Sequence, residues 1–276
     1  MSSAAVRLAP GLVGLHHDVP ADGFAPYPAG TPGRASVNQY LLTEGRTSLL
    51  VDTGLSAHED ALLALLAEHH PAGGRLEVLP LRLGEFDSVC NVAPVHDRFG
   101  IAVLHAAQPD GATWVGFRPG DAGRTDLLDG VRVTRVGATG GITIGPGRTV
   151  TAFRPLLRLL PTHWLHDGAT GTLFTSDAFT HVLRPRPDSP WTVTADDDPT
   201  TPAGLRELLL GGRFWWLDGA RTGELVADLD RIAAGYDIVR IAPAYGRVLE
   251  GRAVVRRHLG LVRDALTELG RVPVPR

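Results

Sequence analysis

The sequence predicts an α/β protein built as two sheets covered by helices. Apolar runs of strand length recur along the chain, amphipathic helical patterns follow strands in each half, and no repeat of fixed short period is present. The 276 residues are 43% hydrophobic and 21% charged, which suits a globular chain and excludes disorder, coiled coil and collagen. A single domain over 1–276 is expected.

Each element has its own signal. Residues 37–42 read as a strand that turns at Glu44, Gly45 and Arg46 into a buried strand over 48–51. Asp52, Thr53 and Gly54 end it. Ser56 and Glu59 stand at capping-box spacing, and Leu62, Leu63, Leu65 and Leu66 give the next helix its apolar face. A strand over 76–79 stops at Pro80, a helix covers 89–99, and a strand follows over 101–104. Strands over 113–117, 131–136 and 149–153, with glycine-rich turns between them, are followed by one over 172–175. Segment 182–203, rich in proline and aspartate, reads as a surface loop or lid. Leu225, Val226, Leu229 and Ile232 mark a helix, and 238–241 a strand. The last helix runs through Val255, Leu259, Val262, Leu266 and Leu269 to a stop at Gly270.

Composition removes several functions. The net charge of −3 without a basic block argues against nucleic acid as partner. No apolar run reaches membrane-spanning length, and the first residues lack an apolar core with a cleavage site, so a cytoplasmic, bacterial-type soluble protein is expected. The lone cysteine, Cys90, allows no internal disulfide and no thiolate zinc cluster. The chain has no lysine, which excludes Schiff-base chemistry and a Walker A loop.

Chemistry is expected in three segments that follow apolar strands, where loops can aim side chains into a cleft. These are 83–88 with Glu85 and Asp87, 161–179 with His163 and Asp177, and 241–246 with Tyr245. Carboxylates with imidazole form a hard-to-borderline donor set that suits iron, manganese or magnesium.

Asn38–Leu42 followed by Leu49, Leu50, Val51, Asp52, Thr53 and Gly54 resembles the opening hairpin of the metallo-β-lactamase superfamily. Segment 83–88 resembles the second motif of its oxygen- and nitric-oxide-reducing diiron branch, the flavodiiron proteins, which carries glutamate where the zinc hydrolases have histidine. His163 with Trp164, the run 173–179 around Asp177, and 242–246 resemble that branch's later histidine, bridging aspartate and closing element. The resemblance implies a single αββα sandwich. It also implies that the branch's usual flavodoxin domain is lacking here, so that electrons would come from a separate reductase.

Three ligand positions depart from the branch: Leu83, Ser88 and Tyr245 stand where it has histidines. The resemblance then implies a diminished, mononuclear iron or manganese site with Glu85, Asp87, His163 and Asp177 as metal ligands. Asp177, His163 and Tyr245 would be the catalytic groups in oxidative chemistry on a small-molecule substrate. The alternative is a metal-free descendant that binds a small ligand or uses the same residues for acid/base catalysis. Without metal, crowding of Glu85, Asp87 and Asp177 should leave one carboxyl protonated near neutral pH.

Other residues have blander readings. Asp52 is structural, Cys90 a small buried group, and His166 and His181 surface histidines. Phe214, Trp215 and Trp216 form a core edge, with a substrate pocket or a homo-oligomer contact as alternatives. Arg184 and Arg186 are solvated, with an anionic substrate as the alternative.

Overall fold

The computed structural model describes residues 2–107, 115–118, 120–121, 124 and 126–270. They form two compact units, each assembled from three stretches of chain. The first comprises Met1–His17, Val37–Arg154 and Leu160–Thr170, the second Asp18–Ser36, Pro155–Leu159 and Gly171–Arg276. Neither unit is one continuous segment.

The first unit contains a sheet in the order β1 (Ser3–Ala9), β2 (Leu12–Pro20), β3 (Arg34–Glu44), β4 (Thr47–Val51), β5 (Arg75–Leu79), β6 (Ile101–Ala106), β7 (Arg132–Arg135). β3 and β4 pair antiparallel as the hairpin expected from sequence, with Tyr40 opposite Val51. β4 to β7 then run parallel, which requires crossovers. α1 (Glu59–His69) joins β4 to β5, while the short α2 (Phe86–Val89) and α3 (Val92–Phe99) join β5 to β6. Leu50 of β4 and Leu76 and Val78 of β5 pack with Leu62 and Leu66 of α1 and Val92 and Val95 of α3 in one apolar cluster. Gly11, between β1 and β2, has φ +67°, and a Cβ there would meet the Thr43 carbonyl at 2.5 Å.

Three strands of a second sheet also lie in this unit, in the order β10 (Trp164–Asp167), β9 (Arg148–Phe153), β8 (Thr139–Gly145). In the second unit the order is β12 (Thr192–Val193), β14 (Val248–Glu250), β13 (Arg240–Pro243), β11 (Thr172–Ser176). Its helices are α4 (Pro202–Gly211), α5 (Gly223–Gly235) and α6 (Arg252–Leu269), the last ending at Gly270 as expected.

Several local expectations are corrected. No capping box forms: Ser56–His58 is a 3-10 turn without a side-chain cap, and Glu59 accepts from Arg118 at 2.7 Å instead. The helix expected over 89–99 is two pieces. The Asn91 side chain donates to the Thr53 and Leu55 carbonyls where the break falls, and Pro94 lies in the first turn of α3, where a missing N–H costs nothing. Of the strand expected over 113–117, residues 113 and 114 lie outside the described residues, and 115–117 are irregular. Segment 182–203 is mostly irregular and partly exposed, as a surface loop would be, and it is anchored. It contributes β12, and Arg184, 2% exposed, pairs with Asp18 and stacks 3.6 Å from the Trp191 ring centroid. Among the described residues no helix is long and apolar enough to cross a membrane.

Candidate functional site

The motif residues divide between the units, and each group has its own electrostatics. In the first unit, β4 exits through Asp52 at φ +59°, a left-handed conformation that non-glycine residues adopt only when neighbours enforce it. The enforcing bonds are present: its N–H donates to the Leu79 carbonyl at 3.1 Å and its Oδ1 accepts from the Leu81 N–H at 2.8 Å. They couple the loop after β4 to the loop after β5, which carries the second motif.

On that loop Leu83 is buried in the apolar cluster, Glu85 is half-buried ahead of α2, and Asp87 and Ser88 are buried. Arg82, whose side chain is fully enclosed, donates to the Asp87 carboxylate. Burial raises the Asp52 pKa to about 7. Asp87 adds to the rise, while the Arg82 guanidinium, the Leu81 N–H and the Ser88 hydroxyl oppose it. A protonatable carboxyl near neutral pH therefore exists, but on Asp52, which the sequence marks as structural. His163 is 1% exposed. Its N–H donates to the Leu81 carbonyl at 3.1 Å, and its Nε2–H donates to the Gly137 carbonyl at 2.8 Å, which fixes the tautomer.

In the second unit, β11 ends at Ser176 with φ +54° and delivers Asp177, 3% exposed. Arg213 donates to Asp177 Oδ1 at 3.2 Å. The same guanidinium lies 5.8 Å from the ring centroid of Tyr245, which is 2% exposed and edge-on to Phe24 at 6.0 Å. The Ala244 N–H, bonded to the Ser176 carbonyl at 2.8 Å, fixes the closing loop on the end of β11. A cavity of about 20 Å³ beside Asp177 and Arg213 has room for about one water molecule.

Three of the four donors expected for a metal, Asp87, His163 and Asp177, make hydrogen bonds within the protein itself. Asp87 and Asp177 are each bonded to a guanidinium, while Leu83 is an apolar core group, Ser88 a buried hydroxyl and Tyr245 a packed phenol. Among the described residues no three His, Cys, Asp or Glu stand in a geometry that could hold a metal ion. This arrangement does not fit a two-iron centre.

Arg82 and Arg213 escaped the sequence reading, because nothing local marks an arginine as the partner of a particular carboxylate. His166, expected at the surface, is buried in β10, where both faces of the strand are covered. His181 is half-buried in an imidazole pair with His258. Arg184 is buried, not solvated, whereas Arg186 is exposed. Cys90 is buried. The aromatic triplet splits, with Phe214 buried and Trp215 70% exposed.

Two sheets, their strand order and the crossover helices define the metallo-β-lactamase-like fold as it occurs in flavodiiron proteins. Rubredoxin oxygen:oxidoreductase from Desulfovibrio gigas is similar with a TM-score of 0.69 and 16% identity, over 98% of this chain and 62% of that one. The flavodiiron protein from Giardia intestinalis gives 0.66 and 15%, over 98% and 60%. A fragment (1–254) described as a diflavin flavoprotein from a Nostoc species gives 0.69 and 12%, over 97% and 96%. The chain thus spans about three-fifths of the length of the first two. At these identities the likeness shows the fold. No family model matches the chain, and a comparison with curated proteins finds no match.

Proposed function

We propose that this protein uses the metallo-β-lactamase-like fold without metal, its residual acidic centre held by arginine, and that it binds a small molecule instead of performing oxygen or nitric-oxide chemistry. The observation that carries this reading is the enclosed ion pair of Arg82 with Asp87. For Asp87 to ligate iron or manganese, the guanidinium would have to leave or remain buried without its partner. Breaking such a pair costs about 3–5 kcal/mol. Arg213 on Asp177 repeats the device more weakly, since its side chain is 23% exposed. Loss of the imidazoles at 83, 88 and 245 agrees with it.

A second reading keeps catalysis. Asp177, oriented by Arg213, would exchange a proton with a bound substrate, with Tyr245 as its catalytic companion. The carboxylate with a fixed cation favours this version over a redox one.

Metal analysis of protein purified without added metal, repeated after exposure to ferrous iron and manganese, tests both. No stoichiometric metal and a melting temperature indifferent to chelator are expected. Near-stoichiometric iron or manganese held by Glu85, Asp87, His163 and Asp177, and lost in Glu85→Ala and Asp177→Ala, would overturn the proposal and restore an oxidative centre served by a reductase. Native mass spectrometry looks for a retained small molecule. Turnover lost in Asp177→Asn, with binding intact, would select the catalytic version.

A further inference from the structure

The second unit holds a cavity of about 520 Å³ that shares no residue with the sequence motifs, a volume in the range of small-molecule sites. Pro28, Pro32, Val182, Leu183, Leu205 and Leu208 give it a mostly apolar wall. His181 lies on that wall and is the end of a buried polar chain. His181 Nε2 is 2.8 Å from His258 Nδ1, and His258 Nε2 is 3.0 Å from Asp198 Oδ2. His258 is fully buried on α6, and the Asp198 side chain is 1% exposed.

The proton positions follow from the acceptor at the far end. A carboxylate can only accept, so His258 Nε2 carries the hydrogen and donates to Asp198. His258 Nδ1 then accepts from His181 Nε2–H. His181 Nδ1 is left as a lone pair on a residue that lines the cavity. Burial lowers the His181 pKa to about 3, helped by the repulsion that would arise if both rings were charged, and lowers that of His258 to about 4, helped by the Arg257 guanidinium, so both rings are neutral at physiological pH.

We propose that this cavity is a binding site for a neutral, largely apolar small molecule carrying one hydroxyl group, an alcohol or a phenol, which donates its hydrogen bond to His181 Nδ1. Asp198 and His258 are positioning residues that hold the acceptor tautomer. The remaining charges select against anions. Glu207 is exposed on the same wall, and the Arg184 guanidinium is spent on Asp18 at 2.8 Å and on the Ser189 carbonyl at 2.9 Å. A carboxylate ligand would face an imidazole lone pair with no cation to meet it. The inference goes beyond the proposed function and does not rest on it, because it stands whether or not metal binds near Asp177.

The probes are 4-ethylphenol, ethylbenzene and 4-ethylbenzoate, added to the full chain while the histidine ring nitrogens are followed by 15N NMR. Saturable binding of 4-ethylphenol is expected, at least about tenfold tighter than ethylbenzene, the worth of one good hydrogen bond to a buried acceptor. The His181 Nδ1 signal, unprotonated in the free protein, should move on binding. 4-Ethylbenzoate should bind more weakly than the phenol. His181→Phe should abolish the preference for the phenol, and Leu208→Trp, which fills the cavity, should abolish binding while leaving the His181–His258 tautomers unchanged. Equal affinity for phenol and ethylbenzene, preference for the carboxylate, or a protonated His181 Nδ1 in the free protein would overturn the proposal. The last of these is read on the wild-type chain and decides the matter even if the variants fail to fold.

Discussion

Asp87 in the first unit and Asp198 in the second are both buried carboxylates bonded to an arginine, yet the two surroundings do opposite things with the charge. Arg82 is wholly enclosed, so the Asp87 pair is a closed electrostatic unit whose cost is recovered only while it stays intact. Arg257 is 44% exposed and screened by water, which leaves Asp198 to act inward on His258. A buried carboxylate sealed by a buried cation is used for architecture. One sealed by a solvated cation can still orient a neighbour, here an imidazole chain that ends at a cavity.

The comparison breaks most severely at Arg82. Arg82→Met should lose about 3–5 kcal/mol in chemical denaturation at neutral pH, because Asp87 and Asp52 are then buried without their cation. Part of the loss should return in acid, as the carboxyls take up protons. Adding Asp87→Leu should recover part of it too. A loss below about 1 kcal/mol would mean that the pair is not a sealed unit. Arg213→Met should cost less, about 1 kcal/mol, since that guanidinium is partly in water and its bond to Asp177 is long, at 3.2 Å.

The pH profile sharpens the contrast. His17, His181 and His258 have folded pKa values of about 3 to 4, lowered first of all by burial from an ordinary value near 6.5. The unfolded chain therefore takes up protons below about pH 6.5 that the fold refuses, and stability falls from there down to about pH 3. Asp52 has the opposite sign. Its folded pKa is raised to about 7, so the fold binds a proton that the unfolded chain releases, and this term favours the fold as pH drops from about 7 toward 4. Three histidines outweigh one carboxyl, so the net expectation is acid destabilisation. Asp52→Asn should make the fall steeper by about one proton in the slope of stability against pH, while His181→Phe should make it shallower by one. Parallel profiles for both variants and the wild type would refute these assignments.

The fold was readable because its strands and helices carry periodic apolar patterns, and 37–54 placed them in a known frame. β1 and β8 were not: the apolar face of Ser3–Ala9 is only Ala4, Val6 and Leu8, and Thr139–Gly145 holds three glycines beside its two isoleucines, so neither run stands out from a loop. The positions of Asp87, His163, Asp177 and Tyr245 were also readable, since motif spacing is local. Their states were not, because each depends on a partner chosen by tertiary structure. Arg213 is 36 residues from Asp177, and Asp198 is 60 from His258. His181 looked like a surface residue for the same reason, its partner lying 77 positions further on.

The smallest effect belongs to Arg257, and it isolates the argument about Asp198. If the exposed guanidinium only screens the carboxylate from outside, Arg257→Gln should change stability by less than about 1 kcal/mol. It should also leave His258 Nε2 protonated and His181 Nδ1 unprotonated, because the carboxylate still accepts from inside. Asp198→Asn differs from it in charge at the heart of the chain. The amide can present either its oxygen or its NH2 to His258, so the tautomer is no longer dictated, and the 15N spectrum of His181 should show a mixture. A single unaltered tautomer in Asp198→Asn would mean that packing around α6, and not the carboxylate, sets the orientation of both rings.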